Sequence, residues 1–262
     1  MKKIAIGVEI EGILNSQIHS INRGYYHHGK RIPGLSGWTA ERDGSINGSI
    51  FNNWSIPIEI ISKPYRTEKG FKNAIENFIN FFSKDGNHEL NQVFDFNNSC
   101  GCHIHFSISD FKFYNKVIYD IFKKLRIFFF KKIDNSNINN ESKSKIKNHY
   151  DRNYARVVQK NNFYSSDRQK EFNFESEREG KGLEWRSINL YGIKSWKEFR
   201  EVFNIILESL NFLEKNGTNY QKRGWYKVEV PTENYQTQKQ INLEVEIPRN
   251  EQINLEVEQC AI

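Results

Sequence analysis

Four stretches of this chain alternate chemically capable side chains with apolar ones. Glu9 and Glu11 flank Ile10, His103 and His105 flank Ile104, and Glu184 and Arg186 flank Trp185, while Glu59 stands between Ile58 and Ile60. On an extended strand, residues i and i+2 share one face. Neighbouring strands of this kind would gather glutamates, two histidines and an arginine on a single wall. Crowded carboxylates repel one another and resist ionisation, and a bound divalent cation removes that conflict. Oxygen-rich donor sets suit Mg²⁺ or Mn²⁺, and Mn²⁺ tolerates an imidazole among them. Two or more such ions could clamp the phosphates of a nucleotide, with Arg186 neutralising charge as a phosphoryl group moves. Taken singly, each pair reads equally well as a solvated strand face or a cross-strand surface pair. It is the recurrence of one device in three places, beside a lone Glu59 in an apolar run, that argues for a shared site. Cys100-Gly-Cys-His-Ile-His105 also suggests zinc, but four ligands within six residues of one strand can hardly surround an ion.

The elements that must position these residues are legible in part. Residues 3–10 alternate Ile4, Ile6, Val8 and Ile10 against polar or small neighbours, a strand with one apolar face. Residues 15–37 are polar and glycine-rich, and predict a loop. A short extended segment from Trp38 runs to Asp43-Gly44, a hairpin-turn signal. Residues 55–61 form a further strand, with Pro57 marking an edge or a bulge. Helical spacing of Phe71, Ile75, Phe78, Ile79 and Phe82 predicts a helix over 68–83. A strand centred on 103–107 follows, then a long helix capped by Asp110. The Asn-, Ser- and Lys-rich run 134–148 predicts a mobile surface loop, and order resumes over 150–158. Residues 183–189 predict a strand. Ser195 with Glu198 matches a capping box that opens a helix ending near Gly217. The predicted class is α+β, a curved antiparallel sheet with helices on its outer face.

The chain has 262 residues, three cysteines and a formal net charge of +6. Three sparse cysteines exclude a disulfide scaffold and fit a reducing compartment. No apolar run is long enough for a membrane span, and residues 1–10 read as a strand rather than a signal peptide, so the expectation is a cytoplasmic protein without membrane partners. From Glu233 onward there are six acidic and two basic residues, a net −4 that leaves the preceding part at +10. That surplus suits a polyanionic ligand. The C-terminal stretch repeats Gln-Ile-Asn-Leu-Glu-Val-Glu word for word at 240–246 and 252–258. Two copies are too few for a solenoid. The organisation expected is a catalytic domain over 1–230 and a tail over 231–262. The tail could contact a protein partner or the chain itself, offer its carboxylates as a substrate, or stay unstructured.

Gly7-Val-Glu-Ile-Glu11, Asp43-Gly-Ser-Ile46, Glu59-Ile-Ile-Ser-Lys-Pro64, Gly101-Cys-His-Ile-His105 and Glu184-Trp-Arg186 occur in the order found in the amidoligase family. The chain resembles that family, relatives of glutamine synthetase and glutamate–cysteine ligase, over residues 4–215. The resemblance implies a glutamine-synthetase-like catalytic fold and an ATP-dependent enzyme that activates a carboxylate as an acyl phosphate and joins it to an amine. It implies Glu9, Glu11, Glu59, His103 and Glu184 as ligands of two or more Mg²⁺ or Mn²⁺ ions. His105 would lie near the ATP phosphates, Arg186 would grip the transferring phosphate, and Glu59 would share in catalysis. Arg152, in Tyr150-Asp-Arg-Asn-Tyr154, would be a further phosphate contact, and Asp43 would shape a turn. The repeated tail belongs to none of these motifs.

Because an acyl phosphate hydrolyses readily, such a site needs to exclude water, and the 15–37 and 134–148 loops are candidate lids. The expected substrates are a small-molecule or peptide carboxylate and an amine. Nucleic acid is not expected, because no surface of interleaved aromatic and basic residues stands out. Two rival readings use the same residues. One is a metal-dependent hydrolase or nuclease, which would act without nucleotide. The other is a binding module that keeps the fold and has lost activity.

Overall fold

The computed structural model describes residues 4–25, 28–47, 50–108, 116–148, 172–173 and 183–222, all within a first unit spanning 1–227. The element order is β1 (Ile4–Asn15), β2 (Lys30–Arg31), β3 (Trp38–Glu41), β4 (Ser55–Ser62), α1 (Glu68–Ser83), α2 (Leu90–Val93), β5 (Phe94–Asp95), β6 (Cys102–Ile108), α3 (Lys116–Asp134), α4 (Asn140–Asn148), β7 (Phe172–Asn173), β8 (Leu183–Ile188) and α5 (Trp196–Lys222). The eight strands form one sheet in the order β2-β3-β4-β1-β6-β8-β7, with β5 pairing the far end of β1. Every ladder between named strands is antiparallel. The α+β class and the antiparallel sheet are as the sequence predicts.

Alternation divides the sheet into two faces. Ile4, Ile6, Val8 and Ile10 of β1, Ile58 and Ile60 of β4, Cys102, Ile104 and Phe106 of β6, and Leu183 and Trp185 of β8 all enter one core. That core is completed by the apolar stripes of α1, α3 and α5. Phe78 of α1 is fully buried there, 5.4 Å from the Phe199 ring and 4.6 Å from Phe82. Burial of this aromatic mass is what fixes the sheet's orientation, since a one-residue slip of any strand would turn its apolar set outward. The opposite face is left to the polar residues at the alternate positions.

Several sequence expectations change. The 134–148 run is not a loop: α4 occupies 140–148, and Ile138 and Ile146 anchor it in the core. Its N-terminus is organised by Asn139, whose side-chain oxygen accepts the Ser142 N–H at 2.9 Å. Asn139 in turn donates to Glu198 Oε1 through its backbone and side-chain nitrogens, at 2.9 and 2.6 Å. This helix packs on the helical layer, which removes it as a lid over the polar face. Glu198 therefore serves partners beyond its capping box as well. The Ser195 hydroxyl accepts the Glu198 N–H at 3.2 Å, and the Glu198 carboxylate gathers Asn139 and the Lys194 N–H together with the Ser195 backbone.

Asp43-Gly44 does not close a two-residue hairpin. The connection from β3 to β4 runs over 42–54, and Asp43 accepts the Ser45 N–H at 2.7 Å within it. Pro57 lies in an interior strand, yet its ladder with β3 stops at the Glu41↔Glu59 pair. On that side β4 is locally an edge, and the Pro57 carbonyl accepts instead from Arg23 at 2.6 Å. The 15–37 segment is partly ordered, since it contains β2 and sends Ile21, Ile32 and Leu35 into the core. Helix α5 continues past Gly217 to Lys222. Among the described residues no helix is long and apolar enough to cross a membrane. Asp110, the 150–158 segment and the repeated tail lie outside the described residues.

Replacing Phe78 with Ala should cost about 3–5 kcal/mol of folding stability through lost burial and a residual cavity. Urea unfolding followed by tryptophan fluorescence would measure it.

Candidate metal centre

Register brings the predicted residues together. On β1 and β4, Glu11 pairs with Glu59, and on β3 and β4 Glu59 pairs with Glu41. On β1 and β6, Glu9 pairs with His103 and Gly7 with His105, and on β6 and β8 His105 pairs with Glu184. Cross-strand partners share a face, with Cβ atoms about 4.5–5.5 Å apart. Three carboxylates, Glu41, Glu59 and Glu11, therefore stand in one row across three strands, and all three are buried. A second group lies beside them, where one ligand atom each from Glu9, His103 and Glu184 falls within 4.8 Å of the others.

His103 is the hub of that group. Its Nδ1 is 3.2 Å from Glu9 Oε2 and 3.4 Å from Glu184 Oε1, and its Nε2 is 3.7 Å from Glu11 Oε1. His105 Nε2 lies 2.8 Å from Glu9 Oε1, close but off the line of a good hydrogen bond. Arg186 reaches Glu184 Oε1 at 3.2 Å. Thus Glu9, Glu11, Glu59, His103, His105, Glu184 and Arg186 all share the face opposite the core, whereas Arg152 lies outside the described residues.

The loop before β6 is built to touch Glu11. The Gly101 N–H donates to Glu11 Oε2 at 2.6 Å, and the Glu11 N–H donates to the Gly101 carbonyl at 3.0 Å. A Cβ at Gly101 would sit 2.6 Å from His103 Nε2, so any larger residue would have to displace the His103 ring. Asn189, beyond β8, donates to the Cys100 carbonyl at 3.1 Å and fixes the loop from the other side. On β4 the Ser62 hydroxyl accepts the Val8 N–H at 2.9 Å, where the β1–β4 ladder gives way before Pro64.

Electrostatics follow from crowding. Burial pushes Glu59 up to about 10, reinforced by the neighbouring carboxylates Glu9, Glu11 and Glu41. Burial likewise raises Glu11, against the opposing pull of His103. Burial would raise Glu9 too, but the hydrogen bond from His103 and the close imidazole of His105 hold it well below the usual carboxylate range. His103 is buried, which favours neutrality, yet the Glu11 and Glu9 carboxylates raise it above its ordinary value. In the ion-free protein the wall therefore carries extra protons. A cation would have to displace them, because ligands bind as carboxylate and neutral imidazole.

The donor chemistry fits hard divalent ions. Carboxylates with one imidazole suit Mg²⁺ or Mn²⁺. Glu9, His103 and Glu184 would hold one ion, and Glu11 and Glu59 a second. A zinc–thiolate site does not fit. Cys102 points into the core, away from both histidines, and burial pushes the Cys100 thiol up to about 12. Glu41 escapes sequence reading, although Trp38-Thr-Ala-Glu41 carries the same alternation. A single glutamate at a strand end gives no i, i+2 partner to mark it.

Glu59 binds its proton more tightly folded than unfolded, so its contribution to stability is fullest below an ordinary carboxylate pKa and fades as pH rises toward 10. Ion-free protein should lose melting temperature across that window, and Glu59→Gln should flatten the loss. Mn²⁺ should stabilise the wild type by about 2.7 kcal/mol at an ion concentration about a hundredfold above its dissociation constant. Glu59→Gln should blunt that gain. Calorimetric titration in two buffers of different ionisation enthalpy should show proton release on binding. Compared with protein-family models, curated proteins and solved structures, the chain has no match, so the chemistry of this centre rests on its own geometry.

Proposed function

We propose that the chain is an ATP-dependent carboxylate–amine ligase, forming an amide or isopeptide bond through an acyl phosphate, on a glutamine-synthetase-like catalytic sheet. The observation that carries this reading is the clustering of acidic and imidazole groups on one face of a single antiparallel sheet: Glu41, Glu59 and Glu11 in a row, and Glu9, His103 and Glu184 within 4.8 Å. Such a cluster is costly without counter-ions, and it supplies donors for more than one. The five motifs that resemble the amidoligase family all fall on or beside this face.

Divalent cations, when bound, neutralise a triphosphate and hold its γ-phosphoryl group in line for transfer. The chain's own residues supply the rest. Glu9, His103 and Glu184 would hold one ion, and Glu11 and Glu59 would offer carboxylates to a second. His105, beside Glu9, faces the phosphates. Arg186 offers its guanidinium to the phosphoryl group as charge builds on it. Residues 1–230 constitute the catalytic domain of a cytoplasmic enzyme, and the 15–37 segment along the β3 edge is the element placed to limit water.

With Mn²⁺ and ATP, purified protein should release ADP only when both a carboxylate and an amine are supplied. Arg186→Ala should lower that rate by about 10²–10³-fold, the usual cost of losing one preorganised charge donor, with nucleotide binding measured in parallel. Failure to bind ATP in the presence of both metals would overturn the ligase reading. Metal-dependent cleavage of a phosphodiester or peptide without nucleotide would make the protein a hydrolase.

A further inference from the structure

Beyond the carboxylates, the same face carries a cation at each end. Arg186 lies on β8. At the other end Arg31 pairs with Thr39 on β3, while the flanking Trp38 and Ala40, and the following Ile32, are buried in the core. Arg31 therefore projects from the Glu/His face, where it is exposed. The acidic row thus has a guanidinium on either side, one toward the nucleotide and one available for a second anion.

We infer that the acyl donor is an acidic peptide carrying Gln-Ile-Asn-Leu-Glu-Val-Glu, activated at a glutamate side chain, with its second glutamate held by Arg31. This rests on the ligase reading and names its substrate class. The chain itself carries two copies of the heptad, at 240–246 and 252–258. Burial in a sheet would require only that the apolar positions alternate, leaving the polar positions free to differ. Here Gln, Asn and both glutamates are identical in the two copies, as recognition by one side-chain-reading site requires. Charge agrees, since the stretch from Glu233 is net −4 and the preceding part +10.

Spacing agrees as well. Arg31 pairs with Thr39, which pairs with Ile61, so Arg31 lies two strands across and two residues along from Glu59, a separation of about 12 Å, while carboxyl groups at i and i+2 of an extended peptide start about 7 Å apart. A glutamate beside the Glu11–Glu59 pair thus leaves its i+2 neighbour within reach of a bidentate arginine contact. In the reaction the glutamate oxygen attacks the γ-phosphorus of ATP and the bond to ADP breaks. The amine nitrogen then attacks the acyl carbon, phosphate leaves with the C–O electron pair, and the amine's proton passes to solvent.

The full-length protein, incubated with ATP, Mn²⁺ and hydroxylamine as the amine, should acquire a hydroxamate at Glu244, Glu246, Glu256 or Glu258, read by peptide mapping in a mass spectrometer. Omission of ATP, or Glu59→Gln, should abolish it. A full-length variant with those four glutamates changed to Gln should convert the synthetic heptad in trans. In that variant Arg31→Ala should raise the KM for the heptad about tenfold or more, the worth of one charged hydrogen bond, without the same rise for ATP. ATP-dependent hydroxamate on a small carboxylate but on no heptad glutamate would overturn the substrate and spare the ligase. No ADP and no hydroxamate with any carboxylate would overturn both. An unchanged heptad KM in Arg31→Ala would remove Arg31 as the grip.

Discussion

Carboxylates that face one another across adjacent strands are the constraint around which this fold is arranged. Glu41, Glu59 and Glu11 are direct cross-strand neighbours, and all are buried. Like charges in that position destabilise a sheet. Burial removes the water that would screen them. The ion-free protein meets this cost by leaving Glu59 protonated and by interposing His103 and His105 between the remaining charges. Neither device makes the row an asset to stability. It persists because the other face of the same strands buries an aromatic and aliphatic core large enough to hold the register regardless.

The two faces therefore have separate tasks, and each depends on the other. Registry of the polar face is set from behind, by Ile10, Ile60, Ile104 and Trp185. Fine adjustment comes from a few backbone contacts at the rim. Gly101 lets a main-chain N–H reach Glu11, Asn189 pins the preceding carbonyl, and Ser62 stands in for a missing ladder partner of Val8. Environments on the wall push neighbouring groups in opposite directions, with Glu9 held ionised and Glu59 held neutral. Such divergence between adjacent carboxyl groups is characteristic of sites that handle charge rather than of inert surfaces.

What sequence reveals here is alternation, and what it hides is neighbourhood. The i, i+2 pairs at 9/11, 103/105 and 184/186 announce a shared face because period two is a local property. So does helix α1, whose bounds follow from its phenylalanine spacing. The order of strands is not local. Nothing in Trp38-Thr-Ala-Glu41 says that Glu41 will lie opposite Glu59, and Pro57 marks an edge without saying which neighbouring strand stops short of it. Helix α4 was hidden for a related reason. Its own residues are polar, and it is secured by two isoleucines and by Glu198, a side chain from another helix. The same distant contact gives Glu198 a second task beside the capping box that its position predicts.

The sheet order also gives the polar face a direction. Reading from β8 to β2, the face presents Arg186 and Glu184, then the histidines, then Glu9 and Glu11, then Glu59 and Glu41, and finally Arg31. Donors suited to cations occupy the middle, and guanidinium groups occupy the flanks. A symmetric acidic patch would attract cations and repel every anion beyond them. A row with positive ends can instead accept two anions, one from each side. The proposed phosphoryl transfer between a nucleotide and a carboxylate would draw on that arrangement, because its two reactants are both negatively charged and must be brought into contact. The alternation of charge along one sheet face, rather than any single residue, is thus the feature on which the proposed transfer chemistry rests.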